Sequence, residues 1–296
     1  MSIEKLRAEI DTIDSQLIDL FERRMQVALE VARYKKENGK PVFDNTRERQ
    51  LLHKVSGEIE ADLEVYVRVF FSMLMDLSRS YQHKFLVDAS ALRGQIEAAL
   101  EQTPKLFPEK ALVACQGAEG TPAQAACDKL FAASDIMYFS TYEGVFNAVQ
   151  HGLCRYGVLP IENSTTGSAN LIYDLMQSHN ATIVRAVRVQ DDAANYTRFI
   201  CISNALEIYP GADRTSLMMV IPHKPGSLYR VLVRFYALGM NLVKHESRPI
   251  QGYNAEFMFY FDVEASIYSP ALLQLICELE NQTSGFRYLG SYTEMM

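Results

Sequence analysis

Hydrophobic positions in the first 38 residues recur at steps of three and four. Ile3, Leu6, Ile10, Ile13, Leu17, Leu20, Val27, Val31 and Tyr34 form one stripe, uninterrupted by proline or glycine. The spacing predicts one long helix from Ser2 to about Asn38, stopped by Gly39 and Pro41. Two more helices are expected, from about Asn45 to Ile59 and from about Asp62 to Lys84, and residues 89–108 read as a linker, helical or irregular. From Ala111 the texture changes. Short apolar runs ("ALVAC", "IMYFS", "YGVLPI", "ATIVRAVRV", "RFICIS") alternate with helical segments, which predicts an α/β lobe with a largely parallel sheet. Beyond "YPGADR" a third texture follows, in the order β-α-β-β-α-β of the ferredoxin-like motif, with a helix opened by Pro225-Gly226.

Composition narrows the function classes. A chain of 296 residues holds two or three domains, and 48% hydrophobic with 22% charged residues is the balance of a soluble globular protein. The net charge of −7 argues against a general nucleic-acid binder, which needs a basic face. The N-terminus has no apolar signal core. The most apolar stretch, "YVRVFFSMLMDL", is broken by Arg68 and Asp76 and is too short to span a bilayer. Five scattered cysteines without a CxxC pair read as buried, reduced thiols. A cytoplasmic protein without membrane or nucleic-acid partners is expected. The six histidines show no metal-ligand spacing, so no metal and no cofactor are expected either.

The helical stripe has one gap that carries chemistry. Arg24 stands where an apolar residue is due, and Lys35, eleven residues on, returns to nearly the same face. Such side chains can snorkel past a core edge. If they stay on the stripe they need an anion, because a lone buried charge is too costly. Asp44, Arg47 and Glu48 at the start of the second helix, with Ser78 and Gln82 one turn apart in the third, add polar partners. Arg7 lies 17 residues before Arg24, about 25 Å along a straight helix, so if both serve one small ligand Arg7 comes from a second chain. Three long helices with little core of their own fit an intertwined dimer.

From Leu6 to Gln82 this pattern resembles the all-helical chorismate mutase family. The resemblance implies that Arg24, Lys35, Asp44, Arg47, Glu48, Ser78 and Gln82 line one site, completed by Arg7 of the partner, and that chorismate rearranges there to prephenate. Arginines would clamp the two carboxylates and enforce the folded, reactive conformer. Lys35 and Gln82 would donate to the ether oxygen as its charge grows. Glu48 and Ser78 would hold polar groups of the substrate, and Asp44 would orient its neighbours.

Further on, "GAEGTPAQAA" (117–126) and "PIENSTTGSANLIYDL" (160–175) resemble the first lobe of prephenate dehydratase, and "NYTRF" (195–199) resembles that family's catalytic motif. On its own, "ENSTTGS" also reads as a helix N-terminus capped by Ser168. The match implies a remnant site of Glu162, Asn163, Ser164, Thr197 and Arg198, with Thr197 as proton donor to the departing hydroxyl. The family's second lobe belongs between "IVRAVRVQ" and "NYTRF", where only Asp191 to Ala194 stand, so "NYTRF" is expected to face an open cleft and dehydratase activity to be impaired. The C-terminal "HKPGSLYRVL", "GMNLVKHESRP" and "YNAEFMFYFDV" resemble the ACT domain that binds phenylalanine. Gly226, Ser227, Leu228, Asn241, Glu246 and Ser247 would then hold L-phenylalanine as effector.

The chain as a whole resembles the bifunctional chorismate mutase–prephenate dehydratase family. The fold expected is multidomain α and α/β: an all-helical intertwined-dimer mutase domain (1–88), the linker (89–108), a single truncated α/β dehydratase-like lobe (109–205) and a ferredoxin-like ACT domain (212–296). The assembly is a homodimer, or a tetramer where dimers pair through the C-terminal domains. Two rival readings remain: a dehydratase site completed between chains, and a non-catalytic phenylalanine sensor.

Overall fold

The computed structural model describes residues 2–40, 44–86, 90–192, 195–250 and 256–296. Pro41, expected to help stop the first helix, Ala193 and Ala194 at the junction with the missing lobe, and the "YNA" that opens the last ACT-like stretch lie outside the described residues. The chain divides into two compact units, Met1–Ala89 and Ser90–Met296.

The first unit is helical. α1 (Ile3–Glu37) starts at Ser2, whose hydroxyl accepts from the Lys5 amide at 3.4 Å. α2 (Asn45–Gly57) starts at Asp44, whose carboxylate accepts from the Arg47 amide at 3.0 Å. α3 (Glu64–Leu86) packs against both. Among the described residues of this unit the buried apolar side chains are few: Met25, Ala32, Val55, Leu74 and Met75. The long stripe stays open to solvent in the single chain, with Ile10 at 55% and Leu20 at 62% exposure, and Tyr66, Val69 and Phe70 of α3 are exposed too. Helical periodicity marks a face that must be covered, and the described residues of this unit do not cover it.

The second unit begins with α4 (Ala91–Gln102), in the stretch expected as a linker. Its Ile96 and Ala99 are buried in the core with Ile208, Leu272 and Leu279, so this segment is part of the packed unit. The chain continues β1 (Lys110–Gln116), α5 (Pro122–Leu130), β2 (Ala133–Phe139), α6 (Tyr142–Gln150), β3 (Tyr156–Asn163), β4 (Gly167–Ser168), α7 (Asn170–Ser178), β5 (Thr182–Asp192) and β6 (Asn195–Ser203). After β7 (Arg214–Pro222) come α8 (Ser227–Ala237), β8 (Asn241–Pro249), β9 (Glu256–Glu264), α9 (Pro270–Gln282), β10 (Arg287–Tyr292) and β11 (Glu294–Met295).

The first sheet has the order β11-β5-β6-β3-β1-β2, with β4 paired to β3. It is mixed and not largely parallel: β2, β1 and β3 run parallel, while β6 is antiparallel to both β3 and β5. The hairpin from β5 to β6 arises because so few residues separate them, and a parallel pair needs a long crossover. The second sheet, order β10-β7-β9-β8, is antiparallel throughout.

The two sheets are not independent. Met218, Val220, Met258, Tyr260 and Leu289 of the second sheet share one core with Ile161, Ile183 and Ile200 of the first and with Ile172 and Tyr173 of α7. The last strand, β11, leaves the second sheet and pairs in parallel with β5, Glu294 opposite Ala186. Gly290 (φ +135°) makes this crossing possible, since a Cβ there would stand 2.2 Å from the Ile183 carbonyl oxygen.

Candidate functional site

In the helical unit α1 and α3 bring Arg24 onto Ser78. The Arg24 guanidinium donates to the Leu74 carbonyl at 3.3 Å and to the Ser78 hydroxyl, which itself donates to the Leu74 carbonyl at 2.9 Å. Burial pushes the Arg24 guanidinium below its usual pKa, and no carboxylate among the described residues pairs with it. One turn on, Gln82 is buried, and its side-chain oxygen has no hydrogen-bond partner among the described residues. A desolvated cation without a counter-ion costs stability unless an anion completes the site, while the Gln82 oxygen, an acceptor, calls for a donor.

Other members of the expected set fall into place unevenly. Lys35 is half-buried on the α1 face eleven residues beyond Arg24. Glu48, in the first turn of α2, receives the guanidinium of Arg79. Asp44 spends its carboxylate on capping α2, which also sets the direction in which Arg47 and Glu48 leave the helix. Arg47 and Arg7 are exposed, and Arg7 remains 17 residues up the same helix from Arg24, so this chain does not bring those two together.

The second candidate site lies at the ends of β1 and β3. The chain leaves β1 to one side and β3 to the other, the switch point where open α/β sheets take ligands. The glycine loop after β1 is closed on itself: Thr121 donates to the Ala118 carbonyl at 2.8 Å, and Gln124 accepts from the Gly120 amide at 2.6 Å. At the end of β3, Asn163 accepts from the Thr165 and Thr166 amides, both at 2.9 Å, while its own amide donates to the Thr197 hydroxyl oxygen at 2.8 Å. Ser164 donates to Asn195 at 2.9 Å and accepts from the Tyr196 amide at 3.0 Å. Glu162 pairs with Lys244 of β8 at 3.1 Å.

"NYTRF" does not face an open cleft. Thr197 and Arg198 are both buried, on opposite faces of β6. Arg198 reaches into the space between the sheets, where it pairs with Asp262 of β9 and donates to the Tyr292 hydroxyl at 3.0 Å. Its Nε lies 3.2 Å from Glu294, an ion pair without hydrogen-bond alignment. Burial alone would lower the Arg198 pKa, but Tyr292, Asp262 and Glu294 hold it above the usual arginine value. Glu294 also takes Arg214 at 3.1 Å and Arg188. Arg198, expected in the remnant site, thus fastens the second sheet to the first.

Ser168 does not cap the following helix either. α7 starts after Ala169 with no side-chain cap, and the Ser168 hydroxyl donates to Glu246 at 2.7 Å and accepts from Lys244 at 2.9 Å. On β8, then, Lys244, Glu246 and Arg248 turn toward the first lobe, Arg248 forking onto Asp174 at 2.8 and 3.1 Å. Ser247 and His245 are exposed on the other face. Gly226 (φ +80°) opens α8 at the same end of the sheet as Glu246 and Ser247. Asn241 begins β8 at the far end, six residues or roughly 20 Å from Ser247, and donates to Glu264 at 3.0 Å.

Sequence reasoning passed over Arg79, Lys244, Asp262 and Glu294. Arg79 with Asp76 had the spacing of an ordinary helix-surface pair. The other three act through partners dozens of residues away, for which the sequence carries no local signal. Among the described residues no group of three or more His, Cys, Asp or Glu side chains could hold a metal, and no helix is long and apolar enough to cross a membrane.

Residues 6–83 match the family described as chorismate mutase type II, and residues 113–189 match prephenate dehydratase. A bifunctional chorismate mutase/prephenate dehydratase of Aquifex aeolicus (strain VF5) is 23% identical over 377 aligned positions, covering 99% of this chain and 98% of the relative. Those positions outnumber the 296 residues here, so the alignment opens gaps in this chain. Among solved structures, prephenate dehydratase from Streptococcus mutans is 25% identical with a TM-score of 0.56, covering 63% of this chain and 99% of that one. A prephenate dehydratase from Arthrobacter aurescens, solved in complex with L-Phe, shares the fold at 19% identity and a TM-score of 0.54, covering 62% and 89%.

Proposed function

Because this chain belongs to the family of bifunctional chorismate mutase/prephenate dehydratases, we propose that its helical unit is the working catalyst and rearranges chorismate to prephenate in phenylalanine biosynthesis. The observation that carries the reading is Arg24: a half-buried guanidinium set on Ser78, with no carboxylate partner among the described residues. A dicarboxylate ligand supplies the missing anion. Arg24, Arg47 and Arg7 of a second chain clamp its carboxylates and hold the folded conformer, which removes much of the entropic barrier. Lys35 and Gln82 donate to the breaking C–O bond. Glu48 accepts from the ring hydroxyl. No nucleophile or proton transfer is required.

The same reading makes the active form a dimer. The open stripe of α1 and the exposed Val69 and Phe70 of α3 are supplied with a cover by a second copy, and Arg7 reaches Arg24 only across chains. The second sheet, with the strand order of a ferredoxin-like fold, is read as an ACT domain for L-phenylalanine. Gly226, Ser227 and Leu228 with Ser247 form one half of that site; Glu246, expected there, turns to the other face of β8 and accepts from Ser168 instead. Asn241 joins the site from the β8 strand of a neighbouring chain running antiparallel, which would pair two dimers.

Dehydratase activity is impaired in this reading. The Asn163 amide holds the Thr197 hydroxyl oxygen at 2.8 Å, at the position where the family resemblance puts the proton donor. Yet the second sheet occupies the other face of β6, and only a few residues stand where the family's second lobe, which would exclude water, belongs. Incubating the protein with chorismate and following prephenate and phenylpyruvate, with and without L-phenylalanine, tests all three parts. Prephenate accumulating, with phenylpyruvate no faster than spontaneous decay, is expected. Phenylpyruvate well above that rate would restore the dehydratase, and phenylalanine binding without chorismate turnover would leave only a sensor.

A further inference from the structure

Arg79 is neither in the expected site nor on the surface. It sits on α3 between Ser78 and Gln82 in sequence, but its side chain turns toward α2. One arm of its guanidinium meets Glu48 on α2, and the other meets Asp76 one turn back on α3. The three side chains are 14%, 20% and 11% exposed, so this is not a solvated helix pair. In such a place a guanidinium with a fixed fork dictates where its partners' oxygens lie. Asp76 holds one side of the fork still, and the other arm then fixes Glu48.

We infer that Arg79 is a positioning residue for the mutase reaction, acting through Glu48; this rests on the reading of Glu48 as a substrate-facing group. The need is electrostatic. Glu48 would face a substrate that carries two negative charges, and an unsupported carboxylate there would repel it or swing away. Arg79 neutralises part of that repulsion from behind. It occupies one oxygen of Glu48 and leaves the second oxygen to accept the ring hydroxyl, which a carboxylate's four lone-pair sites allow. The site therefore tolerates an acid among its arginines and lysine because a buried cation stands on the acid's far side.

The test is a double-mutant cycle on the full-length protein, with Arg79→Gln, Glu48→Gln and the pair, read as kcat, KM and thermal transition. Arg79→Gln keeps a donor and much of the stem, so it is the variant expected to fold. Wild-type turnover of chorismate comes first; its absence would refute the mutase reading and not the pairing. Given turnover, Arg79→Gln is expected to lower kcat/KM by ~10²-fold, the scale of a misplaced substrate contact. In the Glu48→Gln background the same change is expected to cost less than about twofold, because its target is gone. Arg79→Lys, a cation without the fork, is expected to fall between the two. Multiplicative losses in the pair, or full activity in Arg79→Gln, would overturn the inference, and so would a loss that only tracks a lowered thermal transition.

Discussion

Arg198 has the residue type of a substrate clamp and the surroundings of a structural bolt. Its partners come from strands 64 and 96 residues away, and the three arginines around Glu294 leave no face open to a ligand among the described contacts. Removing the cation strands Asp262 and part of Glu294 in a dry space, where uncompensated charge is expensive. Arg198→Met is therefore expected to destabilise the second unit by about 3–5 kcal/mol in chemical denaturation, with mutase turnover below the transition unchanged. A small loss of stability would mean that water reaches the cluster. The sequence showed an arginine at the mouth of a strand beside a threonine and an asparagine, and nothing in nine residues tells which face of β6 the second sheet will cover. Thr197 and Asn163 form one register pair across β3 and β6 although 34 residues separate them, and only the motif resemblance, not spacing, singled them out.

Elements were legible where their period was. The 3.6-residue repeat of α1 and the alternation of strand and helix from Ala111 onward correspond to the helices and strands observed, shifted by up to three residues at their ends. What periodicity does not encode is the partner of each edge. β11 is two residues long, too short for any pattern, and it still completes the first sheet and carries Glu294 to three arginines. Deleting residues 294–296 is expected to expose the β5 edge, release the cluster and lower the thermal transition of the second unit, with faster aggregation above it. A truncated chain with an unchanged transition would show that the shared apolar core, not the strand, joins the sheets. The linker expectation failed for a related reason. α4 is amphipathic like any surface helix, and only the tertiary fold reveals that its stripe lies with α9 and not in solvent.

For the whole molecule, the exposed stripe and the stranded Arg7 carry a quantitative consequence. If Arg7 acts only across chains, each site of a dimer takes Arg24 from one copy and Arg7 from the other. Arg7→Ala and Arg24→Ala homodimers each lose both sites and are expected to be inactive. Co-expressed, they form heterodimers in which one site carries both substitutions and the other carries neither. Random pairing makes half the dimers mixed, so about a quarter of wild-type activity is expected to return. Tagging the two variants differently and isolating the mixed species should raise that to about half per dimer. Mixed dimers without activity would put Arg7 outside the site, and an active monomer by sedimentation would require the α1 stripe to be covered from within the chain. The stripe itself could be read from the sequence, but its cover could not: hydrophobic spacing states that a face is buried, and a second copy of the same sequence adds no new letters to say by what.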